Sequence, residues 1–258
     1  MNALALESAA LTGRNLRRIR HAPAITLMTQ TMPIVFLLFF GYVLGGALAV
    51  PGAEYRSFLL PGLLVSTAAG GLMTGMFQAA QDTHRGVADR FRTLPVGRAA
   101  VPLGQVLADL LVCAAGTVPL VLAGLATGWR IEGTVPEALG AFGLLLLFRL
   151  AATWAGILLG LASESEEAAG QLGSAAFMLP LLSNAYIPTD GMPGWLRTVA
   201  EWNPLSAVAT AVRVLFGNAP VPSGAAWPVA HPVAGALLWS LGLIAVLAPL
   251  AVRRHGRR

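Results

Sequence analysis

Six long apolar segments follow one another along the 258-residue chain. They occupy residues 24–49, 58–80, 101–128, 138–161, 168–187 and 233–252. Each has about 20 residues or more, which is the length that an α-helix needs to cross the hydrocarbon core of a bilayer. Asp109 and Arg149 are the only charged residues within these segments. The pattern therefore predicts an all-α integral membrane protein with six transmembrane helices.

The composition agrees with a membrane environment. Hydrophobic residues make up 56% of the chain and charged residues 11%, whereas soluble domains carry about 25% charged residues. Because the polar connections are short, we interpret residues 1–258 as a single transmembrane domain. Its predicted parts are an N-terminal interfacial helix at residues 1–23, spans one to five at 24–187, an outer region at 188–228, and span six with a basic tail at 229–258.

The arginines are divided unequally between the two sides of the membrane. Twelve lie before span one, after span two or after span six: Arg14, Arg17, Arg18, Arg20, Arg85, Arg90, Arg92, Arg98, Arg253, Arg254, Arg257 and Arg258. The opposite side carries Arg56, Arg130, Arg197 and Arg213. Since cytoplasmic connections are enriched in Lys and Arg, we expect a multi-pass protein of the bacterial plasma (inner) membrane with both termini in the cytoplasm.

The sequence contains no recognisable catalytic, cofactor or metal site. All 17 basic residues are Arg, whereas the phosphate-binding loop Gly-x-x-x-x-Gly-Lys requires Lys. The four His are far apart and Cys113 is the one cysteine, so neither a metal cluster nor a disulfide framework is predicted. The net charge of +5 comes from arginines beside apolar segments, which indicates membrane topology rather than nucleic-acid binding. Any nucleotide chemistry is therefore expected on another chain.

The N-terminal segment has an amphipathic pattern. Leu4, Leu11 and Ile19 can share one helical stripe, with Arg14 and Arg17 on the polar side. This pattern is typical of a helix that lies on the inner surface of the membrane. The alternative is a basic tail that only sets the topology.

The cytoplasmic connection at residues 81–98 is long for a turn and carries an apolar face. Val87, Phe91 and Leu94 are spaced by four and three residues, so they share one side of a short helix that Pro95 ends. An apolar face on a cytoplasmic segment is expected to be shielded from water by another surface. Two interpretations remain open: a partner protein covers this face, or it rests on lipid.

The predicted outer region contains two short apolar helices. They are separated by Asn203 and Pro204, and Trp195 and Trp202 are suited to a membrane interface. Both are of a length typical of interfacial or re-entrant segments. We predict two half-length helices that dip into the outer leaflet and form a gate, with the residues Pro193, Trp195, Leu196, Trp202, Asn203 and Pro204. The alternative is an amphipathic loop that lies flat on lipid.

Asp109 and Arg149 are predicted to form an intramembrane ion pair. Counted from the inner ends of their spans, their depths differ by about 6 Å, within reach of an Arg side chain. Ionised groups inside a bilayer are costly and usually pair or line a wet path. The pair is therefore interpreted either as structural or as part of substrate passage or gating.

Two weaker local patterns occur near these spans. Gly71-x-x-x-Gly75 and Gly156-x-x-x-Gly160 permit close helix contact, although such matches arise easily among 29 glycines. Ser163 and Glu166 have the spacing of a capping box. They predict a helix start at Ser163, so the carboxylates there are not interpreted as an acid/base pair.

Several stretches together resemble a known family. They are the basic N-terminal helix, FRTLPVGRAAVPLGQVLADLL after span two, SESEEAAGQ before span five, and LPLLSNAYIPTDGMPGWLRTVAEWNPLSAVATAVR after it. The chain is similar over its whole length to the permease subunits of type-2 ABC exporters, especially the daunorubicin-resistance-like group. The TLPVGR and PGWL…NPL segments are the most specific.

The resemblance implies a homodimer of this chain with two copies of a cytoplasmic ABC ATPase, which would bind ATP and Mg. The N-terminal helix would be the family's connecting helix, and the outer helices would be its re-entrant helices. Its ATPase-coupling helix would comprise Arg85, Val87, Asp89, Arg90, Phe91, Arg92, Leu94 and Pro95. The expected cargo is a drug-like or other amphiphilic compound, exported across the lipid membrane, with no sequence motif for its binding site.

Other functions remain compatible with the residues. One is export of a polysaccharide or a lipid carrier by the same architecture. Another, of a different class, is an ATP-independent channel or a membrane-embedded enzyme. A channel would give passive flux from the purified chain, whereas an exporter would depend on an ATPase.

Overall fold

The computed structural model describes residues 23–45, 54–84 and 100–255, together with Gly13 and Val50. Within these residues the chain is helical and contains no β-strand, so the all-α class is confirmed for this part. Except for Gly13 and Pro23, the predicted N-terminal interfacial helix lies outside the described residues. The eight predicted coupling residues, from Arg85 to Pro95, also lie outside them.

The described helices are α1 (Pro23–Leu38), α2 (Tyr55–Ala69), α3 (Gly71–His84), α4 (Ala100–Ala126), α5 (Val135–Gly160), α6 (Glu166–Ala176), α7 (Met178–Leu181), α8 (Gly194–Trp202), α9 (Pro204–Leu215), α10 (Trp227–Ala230) and α11 (Pro232–His255). Helix α1 continues as a π-helix at Phe39–Leu44, and Thr189–Gly191 forms a 3₁₀ turn. Four stretches of the described chain are long and apolar enough to cross a membrane: Tyr55–His84, Pro102–Ala126, Val135–Gly160 and Pro232–Arg254. They correspond to predicted spans two, three, four and six.

Span five differs from the uninterrupted helix predicted for residues 168–187. It consists of α6 and the four-residue α7, and the helix ends at Leu181. Pro180 explains the break after Ala176, because a proline ring clashes with the carbonyl four residues earlier and has no N–H to bond it. The helical part of this segment is about 24 Å long at 1.5 Å per residue.

The predicted helix start at Ser163 is wrong. The N-cap is Ser165, whose Oγ accepts a hydrogen bond from the Ala168 N–H at 3.0 Å. Ser163 instead donates its hydroxyl to the Leu159 carbonyl at 2.9 Å. The chain must turn after α5 before α6 can begin, and Ser165 is the residue with the extended backbone that an N-cap needs.

Helix α5 lies at the centre of the described structure. It contacts α2, α3, α4, α9 and α11. The main apolar core joins side chains of α2, α5 and α9, including Leu60, Phe148 and Val212. Most of α11 is exposed apolar surface, which suits a helix that faces lipid or a second membrane subunit.

Candidate functional site

Helices α3 and α5 approach each other so closely that glycine is required at the contact. A Cβ on Gly156 would lie well inside van der Waals distance of the Leu72 carbonyl oxygen, and one on Gly75 would lie 2.5 Å from the Thr153 carbonyl oxygen. Small residues in membrane helices allow backbones to meet in this way. The contact therefore holds α3 and α5 together as one unit.

Asp109 on α4 and Arg149 on α5 form a buried, two-point ion pair. Arg149 Nε donates to Asp109 Oδ2 at 2.7 Å, and Arg149 Nη2 donates to Asp109 Oδ1. Both side chains are about 6% exposed. Two parallel bonds between a guanidinium and a carboxylate fix the relative orientation of the two groups as well as their distance.

Three threonines complete the hydrogen bonding of this pair. The Thr74 and Thr153 hydroxyls donate to the Asp109 carboxylate at 2.9 and 2.6 Å. Arg149 Nη1 donates to the Thr67 carbonyl at 2.9 Å, and Arg149 Nη2 also donates to Thr74 Oγ1 at 3.2 Å. We call these five residues the ion-pair cluster. It joins α2, α3, α4 and α5 just where Gly70 separates α2 from α3.

An apolar groove lies beside the ion-pair cluster. It has a volume of about 320 Å³ and is lined by side chains of α2, α4 and α5, among them Leu64, Cys113 and Phe142. Cys113 is one helical turn from Asp109 along α4. A polar anchor therefore adjoins an apolar surface within the same bundle.

The outer hairpin, which we define as α8 and α9, is held together by the residue between its helices. Asn203 Oδ1 accepts from the Leu205 N–H at 3.0 Å and thereby caps α9. Asn203 Nδ2 donates to the carbonyls of Leu179 and Leu182 at 3.0 and 2.9 Å. Since those carbonyls belong to the end of span five, one side chain fixes the hairpin to α7. Pro204 then begins α9 as its first helical residue.

Glu201 ties α8 to the segments on either side of it. Its carboxylate accepts from Arg197 Nε at 2.6 Å, from the Thr189 hydroxyl at 3.1 Å and from the Ala226 N–H at 2.6 Å. Burial alone would raise the pKa of Glu201, but these hydrogen bonds outweigh it and lower the pKa. Glu201 is therefore a charged clamp near the C-terminal end of α8.

The other predicted gate residues lie on the outside of the hairpin. Trp195 is 72% exposed and Trp202 is 52% exposed, as expected for aromatic side chains that lie at a membrane interface. Pro193 precedes α8 as its N-cap residue, and Leu196 is partly buried. Their function as a gate remains a prediction.

Arg213 on α9 is buried, although the sequence suggested an outer connection. Its Nε donates to the Phe58 carbonyl at 2.9 Å, and its Nη2 donates to the carbonyls of Asn184 and Ala185 at 2.8 and 2.9 Å. Nη1 donates to Asn184 Oδ1 at 3.2 Å, and the guanidinium carbon lies 3.5 Å from the centre of the Phe58 ring. One cation thus joins α2, α9 and the residues that follow α7.

The structure brings Asp109 and Arg149 into direct contact, whereas Asn203 contacts α7 and α9 instead. Sequence reasoning missed Thr74, Thr153 and the burial of Arg213. Thr74 lies 3 residues after Gly71 and Thr153 lies 3 residues before Gly156. Their position beside the two glycine motifs is the signal that could have found them.

The long apolar helices of the described residues define a helical, multi-pass membrane protein. Residues 7–216 match the family described as ABC-2 type transporter. The chain therefore belongs to that family, and the resemblance seen in the sequence is confirmed. It is a non-catalytic permease subunit of an ABC exporter, and the ATPase is a separate subunit.

Several relatives cover most of the chain. The daunorubicin resistance ABC transporter permease protein DrrB1 of Streptomyces coeruleorubidus is 34% identical over 96% of this chain and 86% of its own length. The probable doxorubicin resistance ABC transporter permease protein DrrC of Mycobacterium tuberculosis is 26% identical over 86% of this chain and 78% of its own. The putative transport permease ycf38 of Pyropia yezoensis is 27% identical over 84% of this chain and 76% of its own length.

Proposed function

We propose that this permease exports a drug-like amphiphilic compound, of the anthracycline kind, from the cell. The observation that carries the proposal is the 34% identity with a daunorubicin resistance permease over 96% of the chain. The apolar groove lined by α2, α4 and α5 supports it, since sites for such compounds are lined mostly by apolar side chains. Expression of the chain with its ATPase should lower cellular daunorubicin accumulation. Export of a polysaccharide or lipid carrier instead, with no change in drug accumulation, would contradict this cargo.

The proposed assembly is a homodimer of this chain with two copies of a cytoplasmic ABC ATPase. ATP and Mg would bind to the ATPase, whose energy the permease receives through a mechanical contact. The exposed apolar surface of α11 supports a chain surrounded by lipid or by a second membrane subunit.

The proposed topology has six crossings, with both termini in the cytoplasm. From Pro23 to Leu44, α1 and its π-helical continuation are roughly 30 Å long, which supports a crossing by span one. Span five would cross as α6 and α7 with the non-helical residues 182–187 after them. The outer hairpin then lies on the outer side as a re-entrant gate.

Labelling of single cysteines tests this topology. In a Cys113→Ala background, we expect an impermeant thiol reagent applied to intact cells to label Met192→Cys but not Arg90→Cys, because the first is outside and the second inside. After the membrane is permeabilised, both positions should react. Labelling at position 90 without labelling at 192 in intact cells would reverse the assignment.

The proposed path of coupling begins at residues 81–98 and continues into α3. Helix α3 is packed against α5 through Gly75 and Gly156 and joined to α4 and α5 by Thr74 and Arg149. A push on the cytoplasmic end of α3 therefore moves α3 and α5 together. The ATPase contact would be an apolar anchor at Phe91, with the arginines of this segment at its polar rim.

Truncation of the apolar anchor tests the coupling path. Loss of a buried aromatic anchor typically costs an interface about 2 kcal/mol, roughly 30-fold in affinity. Phe91→Ala and Leu94→Ala should leave membrane insertion and dimerisation intact while ATPase recruitment or drug export falls. Export and ATPase co-purification measure both effects.

The matched control is Glu54→Ala, because Glu54 is exposed on the proposed outer side. It should leave export and ATPase association at wild-type levels. If Phe91→Ala and Leu94→Ala behaved like this control, residues 81–98 would not be the coupling element.

A further inference from the structure

Arg213 is a buried cation without a carboxylate partner. It is 2% exposed, and the ion pairs among the described residues do not include it. Its charge is balanced only by dipoles: three backbone carbonyls, the Asn184 amide oxygen and the face of the Phe58 ring. A guanidinium has five N–H groups, so these bonds leave one N–H of Nη1 without an acceptor among the described residues.

Arg213 lines a cavity at the proposed outer end of the bundle. The cavity has a volume of about 490 Å³, and Asn184, Thr210 and residues 219–223 also line it. The Thr210 hydroxyl and the Asn184 amide bond each other at 2.9 Å. A buried positive charge therefore lines a cavity that already has polar groups in its wall.

Asp190 is the acidic group in the wall of the same cavity. Its side chain is 46% exposed and lies 3.9 Å from Arg197, so water and a second cation both screen its charge. Arg213 is shielded from water, so its field acts in a lower dielectric and is stronger at short range. The electrostatic potential in the part of the cavity beside Arg213 is therefore positive.

We propose that this cavity binds an anionic group, a phosphate or a carboxylate, through Arg213. A charged guanidinium N–H can donate a single charge-assisted hydrogen bond to such an oxyanion. The anion would supply the counter-charge that no described side chain supplies. Its source is either a free anion or the headgroup of a phospholipid in the outer leaflet, which depends on the proposed topology.

Thermal unfolding of the purified full-length chain tests for the site. Inorganic phosphate is titrated against chloride at constant ionic strength, and nanodiscs of phosphatidylglycerol are compared with nanodiscs of phosphatidylcholine. A ligand that binds only the folded state raises the midpoint temperature of thermal unfolding. We expect a rise of about 3 °C at saturation. A rise with both phosphate and phosphatidylglycerol indicates a free-anion site, and a rise with phosphatidylglycerol alone indicates a headgroup site.

A size-matched pair of variants that differ in charge assigns the effect to this cavity wall. Val221 lines the cavity and is 38% exposed, so Val221→Glu adds a carboxylate there without removing any bond of Arg213. Val221→Glu should lower the apparent affinity for the anion, read from the titration, at least tenfold. Val221→Gln, of the same size, should keep this affinity within about twofold of the wild-type value. The proposal is overturned if wild-type protein responds to neither anion, or if the Glu and Gln variants respond alike.

Discussion

Asp109→Asn and Arg149→Leu are each expected to destabilise the folded permease strongly and to reduce transport. Removal of one member of a buried ion pair leaves the other without its counter-charge, at a cost of about 3–5 kcal/mol. Asp109→Asn would leave Arg149 with the Thr67 carbonyl and Thr74, and Arg149→Leu would leave Asp109 with two hydroxyl donors. The double variant leaves no ion at this site, so it should lose less than the sum of the two single losses.

A double-mutant cycle on detergent-purified protein measures this effect. The expected coupling free energy is about 1–3 kcal/mol, the range for residues in direct contact. Glu164→Gln, which changes an exposed carboxylate, is the control and should leave the unfolding midpoint unchanged. Strict additivity of the two single changes would show that the pair has no energetic link.

Gly156→Ala is expected to have the second large effect, because a single methyl group would separate α3 from α5. The new Cβ would overlap the Leu72 carbonyl oxygen and lie 2.8 Å from the Met76 nitrogen. Backbone atoms cannot move aside as a flexible side chain can, and overpacking of this kind typically costs about 1–3 kcal/mol. The transport rate should fall by a larger factor than this loss of stability explains, since the proposed coupling path runs through the same contact.

The same helix provides the matched control. Gly143 has no neighbouring atom within 4 Å of an added Cβ, so Gly143→Ala should keep wild-type stability and export. Both variants change one glycine of α5 to alanine, so helix propensity contributes equally. The contact between α3 and α5 would be unimportant if Gly156→Ala matched Gly143→Ala in unfolding midpoint and in export.

Hydrophobic length and charge position predicted much of this fold. Apolar runs of spanning length gave spans two, three, four and six, because an uninterrupted run of that length is stable as a helix in lipid. The depths of Asp109 and Arg149 placed the two residues within reach of each other. Span five was predicted less well, since hydropathy does not register Pro180, which breaks the helix although it is apolar.

Other features depend on neighbours that a single sequence does not reveal. From the sequence, Arg213 was assigned to the arginines on the outer side of the membrane. In the structure, carbonyls of Phe58, Asn184 and Ala185 accept hydrogen bonds from its buried guanidinium. These carbonyls lie far from residue 213 in the sequence, so no local sequence pattern predicts their contacts with Arg213. Ser165 replaced Ser163 as the N-cap for a similar reason, because the length of the turn after α5 decides where the next helix starts.

Reconstitution of the permease with its ABC ATPase in inverted membrane vesicles tests the central claim most directly. The measured quantity is the rate of daunorubicin uptake in four preparations: permease alone, ATPase alone, both without nucleotide, and both with Mg-ATP. Uptake above background only in the last preparation is the predicted result, because the ATPase is a separate subunit and is expected to drive the movement of cargo. Equal uptake by the permease alone, without ATPase or nucleotide, would contradict an ATP-driven exporter and identify a passive channel.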